Sequence, residues 1–209
     1  MKKDIEKNKN NTINNNELNN IDSLSAYIKE HMSTRKERAI PPLADWHPEN
    51  IEEMDLVIKA NGEWWHEGTK MTRQSLINLF ATILWKEEVN NEAQFFLKTP
   101  VQKMQIHVED VPFFITDINL INKDKQQWIE FLTSTGDIVY LDDEHQITMR
   151  PYQNELRPYI PVRFGMYALI TRNVYMHLIQ IGTLTENGQH TTLTLNSAGK
   201  HYAITVNND

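Results

Sequence analysis

The sequence predicts an α+β protein of two small domains, in which one unit of hairpin strands, helix and antiparallel sheet occurs twice. One observation is Asn61-Gly62, a pair that tolerates the positive φ of a tight hairpin turn and lies between two alternating apolar runs. The other is Asn187-Gly188, which is predicted to turn a second hairpin near the C-terminus. Together they favour a duplicated unit built around a hairpin.

The first unit is clearest at residues 61–80. Trp64 and Trp65 follow the turn in a short strand, and alternation places them on opposite faces, so one of them is expected in the core. Gly68 ends the strand, and Thr72 is predicted to cap the helix that follows. Apolar residues then recur at three- and four-residue spacing, which is typical of an amphipathic helix: Leu76, Leu79, Phe80 and Ile83.

The second unit is predicted around a helix at residues 166–179, which carries several apolar residues at helical spacing. Residues 168–170 (Ala-Leu-Ile) are matched to residues 75–77 (Ser-Leu-Ile), because each triplet opens a predicted helix after a glycine-containing loop. Residues 191–195 and 201–206 alternate and are predicted to be the strands of the second hairpin.

The chain divides into four segments. Residues 1–20 are rich in asparagine and are predicted to be a disordered tail. Residues 21–50 are predicted to form an N-terminal helix and a proline-rich linker, in which a Trp and a His either plug an apolar edge or cover a site. Residues 51–110 are assigned to an N-terminal α+β domain and residues 111–209 to a C-terminal one. The apolar stripe of the first helix is thin, so a homodimer through this helix is one option.

Composition excludes several classes of protein. The 209 residues include no cysteine, which excludes a disulfide framework, a zinc–thiolate site and a thiol nucleophile. The net charge of −7 argues against sequence-independent nucleic-acid binding, which depends on a basic surface. No apolar run approaches the length of a bilayer span, and the N-terminus lacks the apolar stretch of a secretory signal. A cytoplasmic protein that binds neither nucleic acid nor membranes is expected.

Short motifs follow one another in a specific order from about residue 40 to the C-terminus. They are Pro41-Pro42 before Trp46-His47-Pro48, Gly62-x-Trp64-x-His66-x-Gly68 before Arg73, Thr99-Pro100-Val101-x-Lys103, Val108-x-Asp110-x-Pro112-Phe113, Arg157-Pro158-Tyr159, and Arg163-x-Gly165 before Arg172. In these motifs the chain resembles a bacterial family of unknown function, domain of unknown function 1285.

The resemblance implies a two-domain α+β fold with internal duplication, whose C-terminal domain is similar in outline to pleckstrin-homology-like sheets. It also implies, as an inference about the family, a nucleotide-like ligand at the domain interface and a role in signalling. Two residues depart from the family's pattern: Gln102 replaces a common acidic residue, and Lys70 replaces a common proline. If that acidic residue pairs with Lys103 in the family, Lys103 is free or differently bonded here.

Cations within the motifs are the candidate ligand contacts. A guanidinium offers paired donors that suit phosphate or carboxylate, and Arg73 is predicted in the first turn of its helix, where free N–H groups favour anions. The alternative for each arginine is an ordinary surface ion pair. The predicted site is a cleft between the two halves, where aromatic side chains bind a ring and cations bind an anionic group. Its residues are Trp46, His47, Trp64, Arg73, Lys103, Asp110, Arg163 and Arg172.

No metal or cofactor is predicted. His107 and Glu109 share a strand face, but the spacing matches no established metal motif. Gly199-Lys200 lacks both the earlier glycine and the following Ser or Thr of a phosphate-binding loop.

Three functions stay open. A non-enzymatic ligand-binding or regulatory protein for a nucleotide-like or other anionic small molecule is favoured. An enzyme with Asp110 or His66 as general base is the second hypothesis. A protein-interaction module that uses exposed strand edges or the first helix is the third.

Overall fold

The computed structural model describes residues 20–32 and 40–207, with side chains described at all of these except 30–32. The predicted disordered tail therefore lies outside the described residues, apart from Asn20. The described chain is a two-domain α+β protein with two six-stranded sheets, one three-stranded sheet and three α-helices. It begins with α1 (Ile21–Met32), which contacts α2 (Gln74–Ala81).

The first sheet contains six strands in the order β3-β2-β1-β6-β5-β4. The strands are β1 (Asn50–Ile58), β2 (Trp64–His66), β3 (Thr69–Lys70), β4 (Leu84–Val89), β5 (Glu92–Lys98) and β6 (Gln102–Val108). Helix α2 connects β3 to β4, and its buried face consists of Ile77, Phe80 and Ala81. The first and last strands, β1 and β6, are parallel neighbours, whereas the other neighbours are antiparallel.

The second sheet repeats this arrangement, in the order β10-β11-β12-β7-β8-β9. Its strands are β7 (Phe113–Lys123), β8 (Gln126–Thr133), β9 (Ile138–Tyr140), β10 (Thr148–Tyr152), β11 (Glu155–Arg163) and β12 (Met166–Ile170). When strands are counted from the first of each sheet, both sheets have the order third, second, first, sixth, fifth, fourth. The first and last strands, β7 and β12, are again parallel neighbours. The internally duplicated unit is therefore the six-stranded sheet.

The chain ends with α3 (Arg172–Ile181) and a three-stranded antiparallel sheet. This sheet consists of β13 (Thr183–Asn187), β14 (His190–Ser197) and β15 (Lys200–Asn207), in that order. Its inner face buries Leu193, Leu195, Tyr202 and Ile204. The turn after β14 contacts the second six-stranded sheet, since the Ile129 N–H donates to Ser197 Oγ and the Ala198 N–H donates to the Gln127 carbonyl.

The predicted helix at residues 166–179 begins too early. Met166–Ile170 is strand β12, in which Met166, Ala168 and Ile170 are buried at a period of two. The helix starts at Arg172. The match of residues 168–170 to residues 75–77 is therefore wrong, because a strand was paired with a helix. A short apolar run is compatible with the period of a helix and with that of a strand. Residues 166–170 form a strand because they pair in parallel with β7.

Two local predictions also need correction. Thr72 does not cap α2, because the residue before the helix is Arg73, and no side chain caps it there. The Asn61-Gly62 hairpin is present, but its loop has three residues. The Lys59 N–H donates to the Glu63 carbonyl, and Gly62 has a φ of +88°, as in a turn followed by a glycine bulge.

The two halves pack against each other through a small set of contacts. A Cβ at Gly62 would lie 3.1 Å from the ring of Phe114, so the first hairpin loop presses on β7. The rings of Trp85 and Phe164 lie 4.9 Å apart between centroids, and the Gln74 side chain donates to the Ser134 carbonyl. Buried apolar side chains of both halves form one connected core.

Candidate functional site

A cavity of about 510 Å³ lies at the start of α3, in the C-terminal half. Its walls come from β10, β11, the end of β12 and the first turn of α3. Leu156, Leu169 and Tyr175 supply part of an apolar wall. The volume falls within the range of about 300–1,000 Å³ that is usual for small-molecule sites. We refer to this space as the α3 cavity.

Three charged side chains line the α3 cavity: Glu155, Arg157 and Arg172. Nε and Nη2 of Arg157 donate to one oxygen of Glu155 at 3.0 and 2.9 Å, so these two charges are paired. The Arg172 side chain is exposed and makes no hydrogen bond or ion pair with any other described residue. The cavity wall therefore carries one net positive charge, which resides on Arg172.

The start of α3 adds to this positive potential. Thr171 is the residue before the helix, lines the cavity and makes no side-chain capping hydrogen bond. Arg172 is the first helical residue, where the unpaired N–H groups of a helix carry a partial positive charge. Burial raises the pKa of Tyr175, so its hydroxyl stays protonated at neutral pH. The α3 cavity thus combines an apolar body with a cationic mouth.

The structure does not bring the predicted site residues together in one cleft. Arg172 lines the α3 cavity, Arg73 lines a cavity of about 280 Å³ beside α2, and Arg163 lines one of about 320 Å³ at the junction of the halves. These three cavities share no residue. The predicted inter-domain cleft with three arginines is therefore replaced by three separate cavities, each with one of these cations.

Arg163 is engaged in a structural contact between the halves. Its Nε donates to Asp137 Oδ1 at 2.8 Å, and Nη2 and Nη1 donate to the carbonyls of Ala81 and Leu84 at 2.5 and 3.4 Å. Asp137 also accepts from the hydroxyl of Thr135. Because the guanidinium already binds a buried carboxylate and two backbone carbonyls, Arg163 joins the end of α2 to β11 and has little capacity left for a ligand.

Lys103 is likewise paired. Its Nζ lies 2.9 and 2.7 Å from the two oxygens of Glu87 on β4, and it contacts the ring of Phe96. Of the two expectations for Lys103, free or bonded to a residue other than position 102, the second therefore holds, and the partner is Glu87. Gln102 is fully buried, and neither its amide oxygen nor its nitrogen has a partner among the described residues.

Asp110 belongs to a buried cluster at the domain boundary. It accepts a hydrogen bond of 2.8 Å from the Tyr159 hydroxyl, and Arg157 Nη1 lies 3.5 Å from the same oxygen. Burial raises the pKa of Asp110, although Tyr159 and Arg157 lower it in part. Burial and Asp110 also raise the pKa of Tyr159. Asp110 therefore orients Arg157 and Tyr159 within the protein.

The aromatic candidates differ in their surroundings. Trp64 is 2 % exposed and belongs to the core, so it cannot contact a ligand unless the core opens. Trp46 is half-buried and packs against that core, as a plug would, whereas His47 is exposed. The Arg73 side chain is exposed and makes no hydrogen bond or ion pair with another described residue.

Sequence reasoning missed Leu156, Leu169 and Tyr175 as cavity residues. Leu156 lies on β11, Leu169 on β12 and Tyr175 on α3, and no motif in the sequence links these three segments. It also missed Lys98, which is 4 % exposed, lies 3.9 Å from the ring centroid of Trp85 and has no carboxylate bound to its Nζ among the described residues. Burial lowers the pKa of Lys98, Glu87 raises it in part, and Lys103 lowers it further.

The described residues were compared with the requirements of a membrane-spanning helix and of a metal site. No helix among them is long and apolar enough to cross a membrane. Within the same part of the chain, no three His, Asp or Glu side chains converge in a way that could bind a metal ion.

The fold and its cavities define the class: a two-domain α+β protein with a repeated six-stranded sheet. Family models then identify the family. Residues 41–111 match the N-terminal domain of the domain of unknown function DUF1285, and residues 112–204 match the C-terminal domain of the DUF1285 proteins of unknown function. The chain belongs to the DUF1285 family.

The chain is also similar to two solved structures. A DUF1285 family protein from Silicibacter pomeroyi DSS-3, a crystal structure at 2.50 Å resolution, is 27 % identical with a TM-score of 0.69, and the match covers 90 % of this chain and 95 % of that one. A DUF1285 family protein from Shewanella baltica OS155, at 1.40 Å resolution, is 26 % identical with a TM-score of 0.47, covering 61 % and 91 %. No curated protein gives a significant match.

Proposed function

We propose that this chain is a non-enzymatic, cytoplasmic regulatory protein that binds a small organic anion in the α3 cavity. The observation that carries this proposal is Arg172, a guanidinium without a partner among the described residues, at the mouth of a 510 Å³ cavity. Arg172 binds the anionic group, and Leu156, Leu169 and Tyr175 contact the body of the ligand. A role in bacterial signalling and a pleckstrin-homology-like outline of the C-terminal half are part of the same proposal.

The chemistry of the lining favours a monoanion with an apolar body. One net positive charge matches one carboxylate, and apolar walls stabilise a hydrocarbon or aromatic ring. A nucleotide carries several negative charges and a polar sugar, which the single unpaired cation of this cavity matches poorly. The best-fitting class is therefore a monocarboxylate, with nucleotide-like ligands as the alternative that the experiment separates.

Binding without turnover is favoured by the state of the titratable groups at the cavity. Glu155 is bound to Arg157, and Tyr175 has a pKa raised by burial, so neither is available as a general base near neutral pH. The two general-base candidates, His66 and Asp110, are not in this cavity wall. The Asp110 carboxylate is also occupied by Tyr159 and Arg157.

A thermal-shift series tests the proposal. The full chain is heated with hexanoate, octanoate and benzoate, with hexanamide and benzamide as uncharged controls and with AMP as the nucleotide. A ligand at a hundredfold its Kd adds about 2.7 kcal/mol, which is a rise in Tm of roughly 5–10 °C for a chain of this size. The expected result is a rise with at least one carboxylate and none with its amide.

Three outcomes would overturn the proposal. A rise with AMP alone would assign the site to a nucleotide-like ligand. Equal rises with a carboxylate and its amide would show that Arg172 contributes nothing, and no rise with any compound would favour a protein-interaction role.

A further inference from the structure

The three-stranded sheet has a free edge at β13. Among the described strands, β13 pairs with β14 alone, and all five of its residues are exposed. Leu184, its second residue, is 50 % exposed. An edge strand of this kind presents unpaired N–H and C=O groups that another strand can bind.

The edge strands of the two six-stranded sheets carry features that block pairing, whereas β13 carries only one charged residue, Glu186. Strand β3 has two residues, one of them Lys70; β4 carries Lys86 and two glutamates; β9 has three residues; and β10 contains Pro151. Short length, charge and proline are the usual protections of an edge. Strand β13 reads Thr-Leu-Thr-Glu-Asn, with no proline or lysine, and its pairing with β14 has no bulge.

The outer face of this sheet carries no Asp, Glu, Lys or Arg. Alternation and cross-strand register place eleven residues on it: Thr183, Thr185, Asn187, His190, Thr192, Thr194, Asn196, His201, Ala203, Thr205 and Asn207. Several are fixed by hydrogen bonds across strands, including Thr192 to Thr205 at 2.9 Å and His190 to Asn207 at 2.8 Å. In a chain of net charge −7, this face avoids the like-charge repulsion that opposes self-association elsewhere.

We propose that β13 pairs antiparallel with β13 of a second copy, so that the two three-stranded sheets form one six-stranded sheet. With Leu184 opposite itself at the two-fold axis, Thr183 lies opposite Thr185 of the partner subunit. Glu186 then lies opposite Gly182 of the partner subunit, so no like charges face each other. The exposed Leu184 side chains cover each other, and the uncharged face continues across all six strands.

We assign the partner strand to a second copy of this chain, because the β13 edge is complementary to itself and the resulting assembly is a closed dimer. A two-fold pair uses the same strand on both subunits and ends at a dimer. Pairing of β13 with β15 of another copy would instead build an open chain of subunits, and the β15 strand also contacts β10. The β13 edge has no charge pattern that would select an ionic peptide.

Because the chain contains no cysteine, a single introduced cysteine can form a disulfide only with the same cysteine of another copy. Directly opposite residues of antiparallel strands have Cα atoms about 4.5–5.5 Å apart, which is within reach of a disulfide. Leu184→Cys is therefore expected to form a disulfide-linked dimer under mild oxidation. Leu120→Cys is the matched control, since Leu120 is 46 % exposed on β7, away from the proposed contact, and it is expected to form no disulfide-linked dimer under the same oxidation.

Equilibrium sedimentation gives an independent measurement. The wild-type chain is expected to approach twice its 24.5 kDa mass at high concentration, and Leu184→Lys, which places two ammonium groups at the two-fold axis, is expected to weaken the dimer by about tenfold or more. The proposal is overturned if the wild type stays at monomer mass while Leu184→Cys cross-links no faster than Leu120→Cys. A dimer that Leu184→Lys leaves unchanged would also overturn it, because the contact would then lie elsewhere.

Discussion

The two six-stranded sheets have the same strand order and the same central parallel pair, but their helices occupy different positions. In the N-terminal half, α2 connects the third strand to the fourth. In the C-terminal half that connection is a short turn in which Asp142 accepts from the N–H groups of Glu144 and His145, and α3 follows the sixth strand. The sheet is thus the repeated part, and the helix is the part that differs.

This difference determines what each half can bind. Both helices begin with a Thr-Arg pair: Thr72-Arg73 at α2 and Thr171-Arg172 at α3. The cavity at Arg73 measures about 280 Å³, whereas the one at Arg172 measures about 510 Å³ and has apolar walls from β11 and β12. The two arginines therefore acquire different roles, because Arg73 precedes α2 whereas Arg172 is the first residue of α3, and because the strand ends beside them differ.

Replacing Arg163 should break the contact between the halves and have the largest effect on stability. Arg163→Ala leaves the buried Asp137 without its cation and the Ala81 carbonyl without its donor. Breaking a buried ion pair from one side costs about 3–5 kcal/mol. Urea denaturation measures the loss, and separate transitions for the two halves are expected if Arg163 couples them.

The matched control is Lys59→Ala. The Lys59–Glu109 ion pair lies within the N-terminal half and is largely open to solvent, so a much smaller loss of stability is expected. A loss for Arg163→Ala no larger than that of the control would show that Arg163 does not join the halves.

Gly62→Ala should weaken the same junction by a smaller amount. Gly62 has a φ of +88°, and the added Cβ would lie 3.1 Å from the Phe114 ring of the other half. Gly188→Ala is the control, since Gly188 has a φ of +59° with open space around it. Backbone strain costs about 1–2 kcal/mol in both variants, and Gly62→Ala is expected to lose more because of the ring contact. Equal losses in thermal unfolding would exclude a tight contact at this loop.

Lys98→Met should raise stability slightly at neutral pH, by about 1 kcal/mol, since it replaces a buried ammonium with an apolar side chain. Burial lowers the pKa of Lys98 below its ordinary value of 10.5. The folded state therefore releases this proton more readily than the unfolded chain does, and wild-type stability increases as the pH rises toward 10.5. The advantage of Lys98→Met should accordingly shrink over that range in chemical denaturation at a series of pH values.

Lys103→Met is the control for this prediction. It removes the partner of Glu87, so a loss of stability is expected where Lys98→Met gives a gain. If both variants lose stability at pH 7, Lys98 has an anionic partner and the account of its environment is wrong.

Local pattern predicted much of the fold. The Asn61-Gly62 hairpin, the amphipathic α2 and the paired strands β14 and β15 follow from turn chemistry and periodicity. The start of α3 did not follow, because Met166–Ile170 is apolar at positions compatible with either period and its partner β7 lies about fifty residues earlier in the chain. Long-range pairing decides such segments, and one sequence carries little information about it.

The candidate site was predicted less well, for a physical reason. A guanidinium has the same chemistry whether its partner is a ligand, a carboxylate or a carbonyl, and the partners of Arg163 come from residues about 26 and 80 positions away. Sequence motifs located Arg172, but only the packing of α3 against the strand ends distinguishes it from Arg73 and Arg163.

Calorimetric titration of octanoate into three proteins tests the central claim most directly: wild type, Arg172→Ala and Arg73→Ala. Loss of a charge-assisted hydrogen bond of about 1.5–3 kcal/mol should weaken binding by roughly tenfold or more in Arg172→Ala. Arg73→Ala should bind as wild type does, because Arg73 lines a different cavity. If Arg73→Ala loses affinity and Arg172→Ala does not, the ligand site lies beside α2 and the account given for the α3 cavity is wrong.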